Sequence, residues 1–324
     1  MIDREPGRIW RNSPVDAILL GICIVQFAGT IALAVLTPDG LWPRLGSAIL
    51  VTAMITYSVL IVNHMFVHQP WFTDQRLNAL VSLMNSANIA QSVQAYQLSH
   101  VRNHHRYNND RKRDGVTADL SSTYRYSRDD DHAPLWRYLA FSLAASAREF
   151  VGTWASLRRL CGVGPAETTL LGWAARHPDR RAAELAQVRY DRLAHLSFIV
   201  LLAVLSWQWL LLCYLPAVAA AFTWVNVQNY YRHFGAEPDS RYANSVSYYS
   251  RLYNRLTFND GYHQEHHLRP TTHWTRLPEV ASQYQERLDE AGRVVSTVPP
   301  VVGFLDTGRI DRIAQRSSAT RATQ

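Results

Sequence analysis

Histidine is the residue whose types of neighbour and spacing in this chain could do chemistry. The sequence holds thirteen histidines, and nine of them fall in four short clusters. His64 and His68 bound HMFVH, and four-residue spacing on a helix puts both rings on one face. His100, His104 and His105 lie in HVRNHH, where His100 and His104 share a helical face and His105 points about a quarter-turn round. Asn229 and His233 repeat the four-residue spacing in NYYRH. His263, His266 and His267 stand at i, i+3 and i+4 in NDGYHQEHHLRP, again one helical face. Neutral imidazole is a ligand for Fe, Zn, Cu and Ni. Nine rings are too many for one tetrahedral or octahedral ion and fit two ions with four or five ligands each. A solvated histidine patch would not leave only His132, His177, His195 and His273 outside the clusters. Those four are read as structural or exposed.

Such rings need elements to carry them. Of the 324 residues 48% are hydrophobic, and these concentrate in four blocks. Residues 17–36 carry no charge and match the roughly 20 apolar residues that span a bilayer. Residues 46–66, 196–214 and about 215–230 follow. The last block is short, and it counts as a span because three spans would place the two halves of the chain on opposite sides. The first block is longer than a signal-peptide core of about 7–15 residues, and no small-x-small site precedes Thr37, so it is read as a retained span. The expected fold is an all-α integral membrane protein with four transmembrane helices in two hairpins, turning near Pro38–Arg44 and Tyr214–Pro216. A helical cap, 67–195 and 231–305, carries the histidine clusters. One domain covers 1–305, and 306–324 is expected to be a flexible tail.

Charge sets the orientation. Of the 33 Lys and Arg, only Arg44 lies on the hairpin-turn side, so both termini and the cap are expected on the cytoplasmic face. The net charge of +7 is accounted for by anionic lipid headgroups, without a nucleic-acid role. Within the cap, 79–99 is helix-like but too rich in Asn, Gln and Ser to face lipid. Residues 134–159 read as an amphipathic helix, at the membrane interface or in the core of the cap. Cys23, Cys161 and Cys213 are too scattered for a disulfide framework or an iron–sulfur site. The hairpins bring the ends of the second and fourth spans to one depth, where all nine rings can converge. A metal transporter is the competing class, but transporters place their ligands near the bilayer midplane, and no span here has a histidine in its middle.

HMFVH, HVRNHH and HQEHH, in this order and between matching hairpins, resemble the three histidine boxes of the membrane fatty acid desaturase/hydroxylase superfamily. HHRYNND, SSTYRY and GYHQEHHLRPTTHWTRLPE look like its bacterial members. The resemblance covers roughly residues 45–285 and implies a bacterial inner-membrane enzyme with its active site on the cytoplasmic side. It implies two non-haem Fe ions, with Asn229 matching a further ligand position. The metal-ligand set is then His64, His68, His100, His104, His105, Asn229, His233, His263, His266 and His267. It further implies O2-dependent insertion of a double bond into a lipid acyl chain, with a hydroxylase or acetylenase as the alternative on the same scaffold. The acyl group would ride on CoA, acyl carrier protein or a phospholipid. The chain has no Rossmann glycine fingerprint, cysteine cluster or fused cytochrome b5 signature. Electrons are therefore expected from a separate ferredoxin, rubredoxin or cytochrome with its reductase.

The supporting residues are less determined. Asp260 and Glu265, beside the last box, could orient imidazole N–H groups or be surface charges. Asp110 and Asp119, after the second box, stand the same way. Arg102, Arg106 and Arg269 could attract an anionic headgroup or face the membrane.

Overall fold

The computed structural model describes residues 8–128, 131–157, 165–311 and 313. Cys161 and residues 314–324 of the expected tail lie outside them. The described residues are mostly helical and fall into two compact units, Met1–Ser99 with Ser146–Phe222, and His100–Ala145 with Thr223–Gln324.

The first unit is built inside out relative to a water-soluble bundle. In α1 (Ala17–Leu36) the buried stripe is Leu19, Cys23, Gln26, Thr30 and Ala34, while Ile24, Val25, Val35 and Leu36 are exposed. Apolar side chains outward and polar ones inward is the arrangement lipid demands, because a polar group in hydrocarbon must find a partner within the protein. α2 (Leu41–Tyr57) buries Ser47, Val51 and Ile55 and exposes Trp42, Ile49 and Leu50. A π-turn, Ser58–Asn63, then leads into α3 (His64–His68). Gln26 Nε2 donates to the Asn88 carbonyl (2.8 Å), Ser58 Oγ donates to Gln26 Oε1, and Asn88 Nδ2 donates to the Cys23 carbonyl (3.0 Å).

The polar segment expected over 79–99 forms two helices, α4 (Gln75–Asn88) and α5 (Val93–Ser99). Ala90, at φ +54, breaks the run between them. Ser82, Asn85, Ser86, Asn88 and Ser92 are buried, and Ser82, Ser92 and the backbone N–H of Gln94 all donate to the carboxylate of Asp191 at 2.8–3.1 Å. Asn, Gln and Ser stand here because they satisfy buried groups.

Among the described residues, three helical stretches are long and apolar enough to cross a membrane: Pro14–Leu36, Leu41–His68 and Pro178–His233. The chain reaches the last through α6 (His105–Tyr107), α7 (Leu135–Leu157) and α8 (Pro165–Ala175). It comprises α9 (Pro178–Trp209), a π-turn Leu210–Tyr214 and α10 (Leu215–His233). The break expected at Tyr214–Pro216 falls instead at Ser206, whose φ −162° and ψ 96° are extended. The helix runs on through Pro216 because a wide π-turn precedes it, where an absent N–H costs little.

In the second unit Ala133, Tyr138, Val227, Tyr230 and Tyr231 form the core, with Tyr126, Leu139 and Phe234 packed on it. Two short strands, β1 (Val246–Ser247) and β2 (Val294–Val295), pair in parallel. Two short helices, α11 (Arg251–Leu256) and α12 (His263–Leu268), complete what the site needs. Two residues of the expected tail, Asp306 and Arg309, are held by hydrogen bonds. Asp306 accepts from Ser296 Oγ and Thr297 N–H (both 3.1 Å), and the buried Arg309 donates to the Tyr231 carbonyl (3.3 Å).

Candidate metal centre

The second histidine cluster is set by its backbone. α5 passes into a π-turn over His100–His104 before α6. In an α-helix, residues five apart point about 140° apart. A π-turn, with its i→i+5 bonding, brings them much closer to one face. His105 Nε2 accordingly lies 3.1 Å from His100 Nε2. The expected division, His100 with His104 and His105 apart, is thus corrected by the wider turn, although the His100 and His104 rings still stack at 5.2 Å.

The last cluster divides as well. α12 is buried along its whole length. His266 Nε2 lies 3.1 Å from His105 Nε2, so His100, His105 and His266 bring ring nitrogens together. His267 joins His104 and His233 instead, with one nitrogen from each within 4.8 Å of the others. His263 adjoins this second trio, its Nε2 being 3.5 Å from His233 Nε2 and its ring 4.5 Å from that of His267. In the first unit, the His64 and His68 rings sit 5.3 Å apart at 82°.

Outer contacts fix which nitrogen of the His104 trio faces inward. His104 Nδ1 meets Asp119 Oδ2 at 2.8 Å, His233 Nδ1 meets the Asn244 carbonyl at 3.2 Å, and His267 Nδ1 meets Asn108 Oδ1 at 2.9 Å. All three partners are oxygens that accept, so each Nδ1 carries the proton and each Nε2 keeps its lone pair. His267 Nε2 is buried with no hydrogen-bond partner, and burial, reinforced by His263 and His233, pushes its pKa well below the ordinary value. Buried neutral rings with inward lone pairs are what a cation requires and what a water-free core would otherwise penalise. The His100 trio fits equally well: metal–nitrogen bonds of about 2.1 Å put neighbouring donors about 3.0–3.4 Å apart, and the two measured separations are 3.1 Å.

Asn229 spends its amide N–H groups on the Tyr138 hydroxyl (2.7 Å) and the Ser121 carbonyl (3.2 Å). Asp260 and Glu265 are fully buried, so neither is a surface charge. Asp260 pairs with Arg232 and accepts from the Tyr253 hydroxyl at 3.2 Å, which ties the segment before α12 to α10. Glu265 accepts from Ser247 Oγ (2.9 Å) and the Tyr249 hydroxyl (2.6 Å), with Arg293 3.7 Å away. It braces α12 against β1, and burial raises its pKa. Asp119 does orient an imidazole, and Asp110 shapes its loop by accepting the N–H groups of Ala118 and Asp119 (both 2.8 Å). Arg269 is held by Tyr284, 5.3 Å from the ring centroid.

Asn108 and Asn244 were not legible as partners of the site. The one signal for Asn108 is the pair Asn108–Asn109, since both adopt positive φ (+47° and +62°), which Asn tolerates better than most residues.

Long apolar helices together with two histidine trios, one of them fully buried, define a membrane protein with the donor set for metal ions. Residues 40–299 match the fatty acid desaturase family model, which is most of the chain, and the protein belongs to that family. A stretch of 54 residues is 48% identical to the sphingolipid delta(4)-desaturase of Candida albicans, covering 17% of this chain and 14% of that protein.

Proposed function

We propose that this chain is an oxidoreductase that introduces a double bond into a lipid acyl chain, using O2 and two non-haem iron ions. The two histidine trios, inside a chain of the desaturase family, carry the reading. The ten donors proposed are His64, His68, His100, His104, His105, Asn229, His233, His263, His266 and His267. Bound iron with O2 would supply the oxidising power to take hydrogen from an unactivated methylene. Reducing O2 to two waters takes four electrons: two leave with the vicinal hydrogens and two must come from a separate donor protein. The chain's own part is to hold imidazoles neutral and correctly turned, with His104, His233 and His267 buried away from water. The local identity to a sphingolipid desaturase supports a lipid chain as the substrate.

The same proposal includes four spans with the site on the cytoplasmic side. As one straight helix, the 56 residues of Pro178–His233 would run about 84 Å, against a hydrocarbon core of about 30 Å. The extended Ser206 supports a turn that makes two spans of it. From Leu193 to Tyr231 there is no Asp, Glu, Lys or Arg, and Arg192 and Arg232 flank the stretch, which supports placing both its ends on the cytoplasmic side.

Expression in a host without desaturases of its own, with acyl profiling by mass spectrometry, tests the activity. A new alkene is expected, and an alcohol or alkyne would select the alternative chemistry. His104→Ala and His266→Ala should each abolish product while the protein remains folded. Full product from either variant would overturn the metal assignment.

A further inference from the structure

His132 belongs to no histidine cluster, yet its hydrogen bonds are determined atom by atom. The backbone N–H of Gly235 points at its Nε2 (3.0 Å). An N–H can only donate, so Nε2 holds a lone pair and Nδ1 carries the proton. Nδ1 is 2.7 Å from Thr123 Oγ1, which therefore accepts. The single Thr123 hydroxyl proton goes on to Asn109 Oδ1 (2.9 Å), which also takes the Thr123 N–H (2.7 Å). The Asn109 N–H donates to Asp119 Oδ2 (2.9 Å), the same oxygen that accepts the Nδ1 N–H of His104. Asp119, Asn109 and Thr123 are fully buried, so water does not compete for these bonds. The imidazole is gripped between the rings of Tyr124 (4.3 Å) and Phe234 (4.8 Å).

The two ends of this chain matter. One end is His104. The other is Gly235, at φ +79°, in the turn that ends α10 two residues after His233. A continuous run of hydrogen bonds within the second unit therefore links the backing of one imidazole of the trio to the turn that anchors another.

We propose that His132 is a positioning residue for the His104–His233–His267 trio, setting the spacing of His104 and His233 through Gly235 and Asp119 without binding metal itself. The inference rests on the two-metal reading and adds a residue outside all the boxes to it. It separates His132 from His100, His105 and His266, which this chain of bonds does not reach.

Cobalt(II) titration of the metal-free, detergent-solubilised full-length protein, followed by visible absorption, tests it. Wild type should take two ions. His132→Phe keeps the ring stack and loses the polar contacts to Gly235, Thr123 and the Tyr124 hydroxyl, which also lies 3.2 Å from Nε2, and should weaken one of the two sites by about 10–100-fold, the usual cost of losing an outer partner of a metal ligand, with the other site little changed. In a His266→Ala background, which leaves the His104 trio as the intact set, the same loss should appear. His132→Gln restores an acceptor for the Gly235 N–H and should recover most of the affinity. His132→Asn reaches Thr123 but not Gly235 and should not. Unchanged affinities in His132→Phe, or equal weakening of both sites, would overturn the proposal, as would equal affinities for the Gln and Asn variants should the Phe variant fail to fold. A wild type that binds no cobalt would instead sink the two-metal reading beneath it.

Discussion

His104 donates its Nδ1 N–H to Asp119 across 2.8 Å, to a carboxylate with no exposed surface. Burial alone would raise that carboxyl's pKa. The His104 ring, with the N–H groups of Ser121 and Asn109, more than offsets it and holds the group down to about 2. Asp119 therefore stays an acceptor throughout the physiological range and fixes His104 with Nε2 free for metal. Asp119→Asn keeps the shape but turns one acceptor into a donor among three N–H groups. Metal affinity should fall about 10–100-fold, measured by cobalt(II) or iron(II) titration, and product should fall with it. An Asn variant that binds metal as tightly as wild type would show that the carboxylate does not set the tautomer.

Arg232 and Asp260 form an ion pair that is almost completely buried, joining α10 to the segment before α12. Breaking a buried pair strands a charge and costs about 3–5 kcal/mol, whereas replacing both partners by apolar groups is often close to neutral. Asp260→Leu alone should therefore destabilise the protein more than Arg232→Met with Asp260→Leu together. Thermal unfolding of the two single variants and the double variant measures this. A double variant worse than either single one would mean that the pair itself, and not the stranded charge, is what the fold needs.

Gly261 has no room for a side chain. A Cβ there would lie 2.2 Å from the Tyr248 carbonyl oxygen and 2.6 Å from Asn254 Oδ1, while the Gly261 N–H donates to that same Asn254 oxygen at 2.9 Å. The obstacle is backbone, which cannot swing aside. Gly261→Ala should force apart the turn that launches α12, lowering stability by about 1–3 kcal/mol and shifting His263, two residues on. The melting temperature and metal content of the purified variant check this, and a variant equal to wild type in both would show that the turn relaxes freely.

The histidine boxes and the apolar blocks were legible because spacing and composition encode them directly. How the boxes divide was not. An α-helical wheel puts His100 with His104, and only the π-turn over His100–His104 pairs His100 with His105. Such a turn depends on the packing of the whole segment and leaves no mark at i and i+4. Asp260 and Glu265 show a second limit. Acidic residues beside a metal box read as either imidazole partners or surface charge, and what they hold, Arg232 in one case and Ser247 with Tyr249 in the other, comes from distant parts of the chain. Ser206 shows a third. Pro216 looked like the helix breaker, but the extended residue lies ten positions earlier, since a π-turn ahead of a proline relieves the clash that would break an α-helix.

His132 leads to a prediction about acid. Burial, with a contribution from Arg111, pushes its pKa from the ordinary 6.5 to about 3, although Asp131 pulls the other way. The folded protein thus refuses a proton that the unfolded chain accepts. The stability this neutral ring contributes is whole above pH 6.5 and is lost as pH falls from 6.5 toward 3. His132→Gln keeps an acceptor for Gly235 and has nothing to titrate. In metal-free protein, wild type should therefore lose melting temperature more steeply than His132→Gln as pH is lowered from about 7.5 to about 5. The gap between the two should narrow or reverse across that window. Parallel curves would mean that His132 takes up its proton in the folded state as readily as in the unfolded one. That could happen only if the Gly235 N–H were not bonded to Nε2, since a protonated ring has no lone pair to offer it.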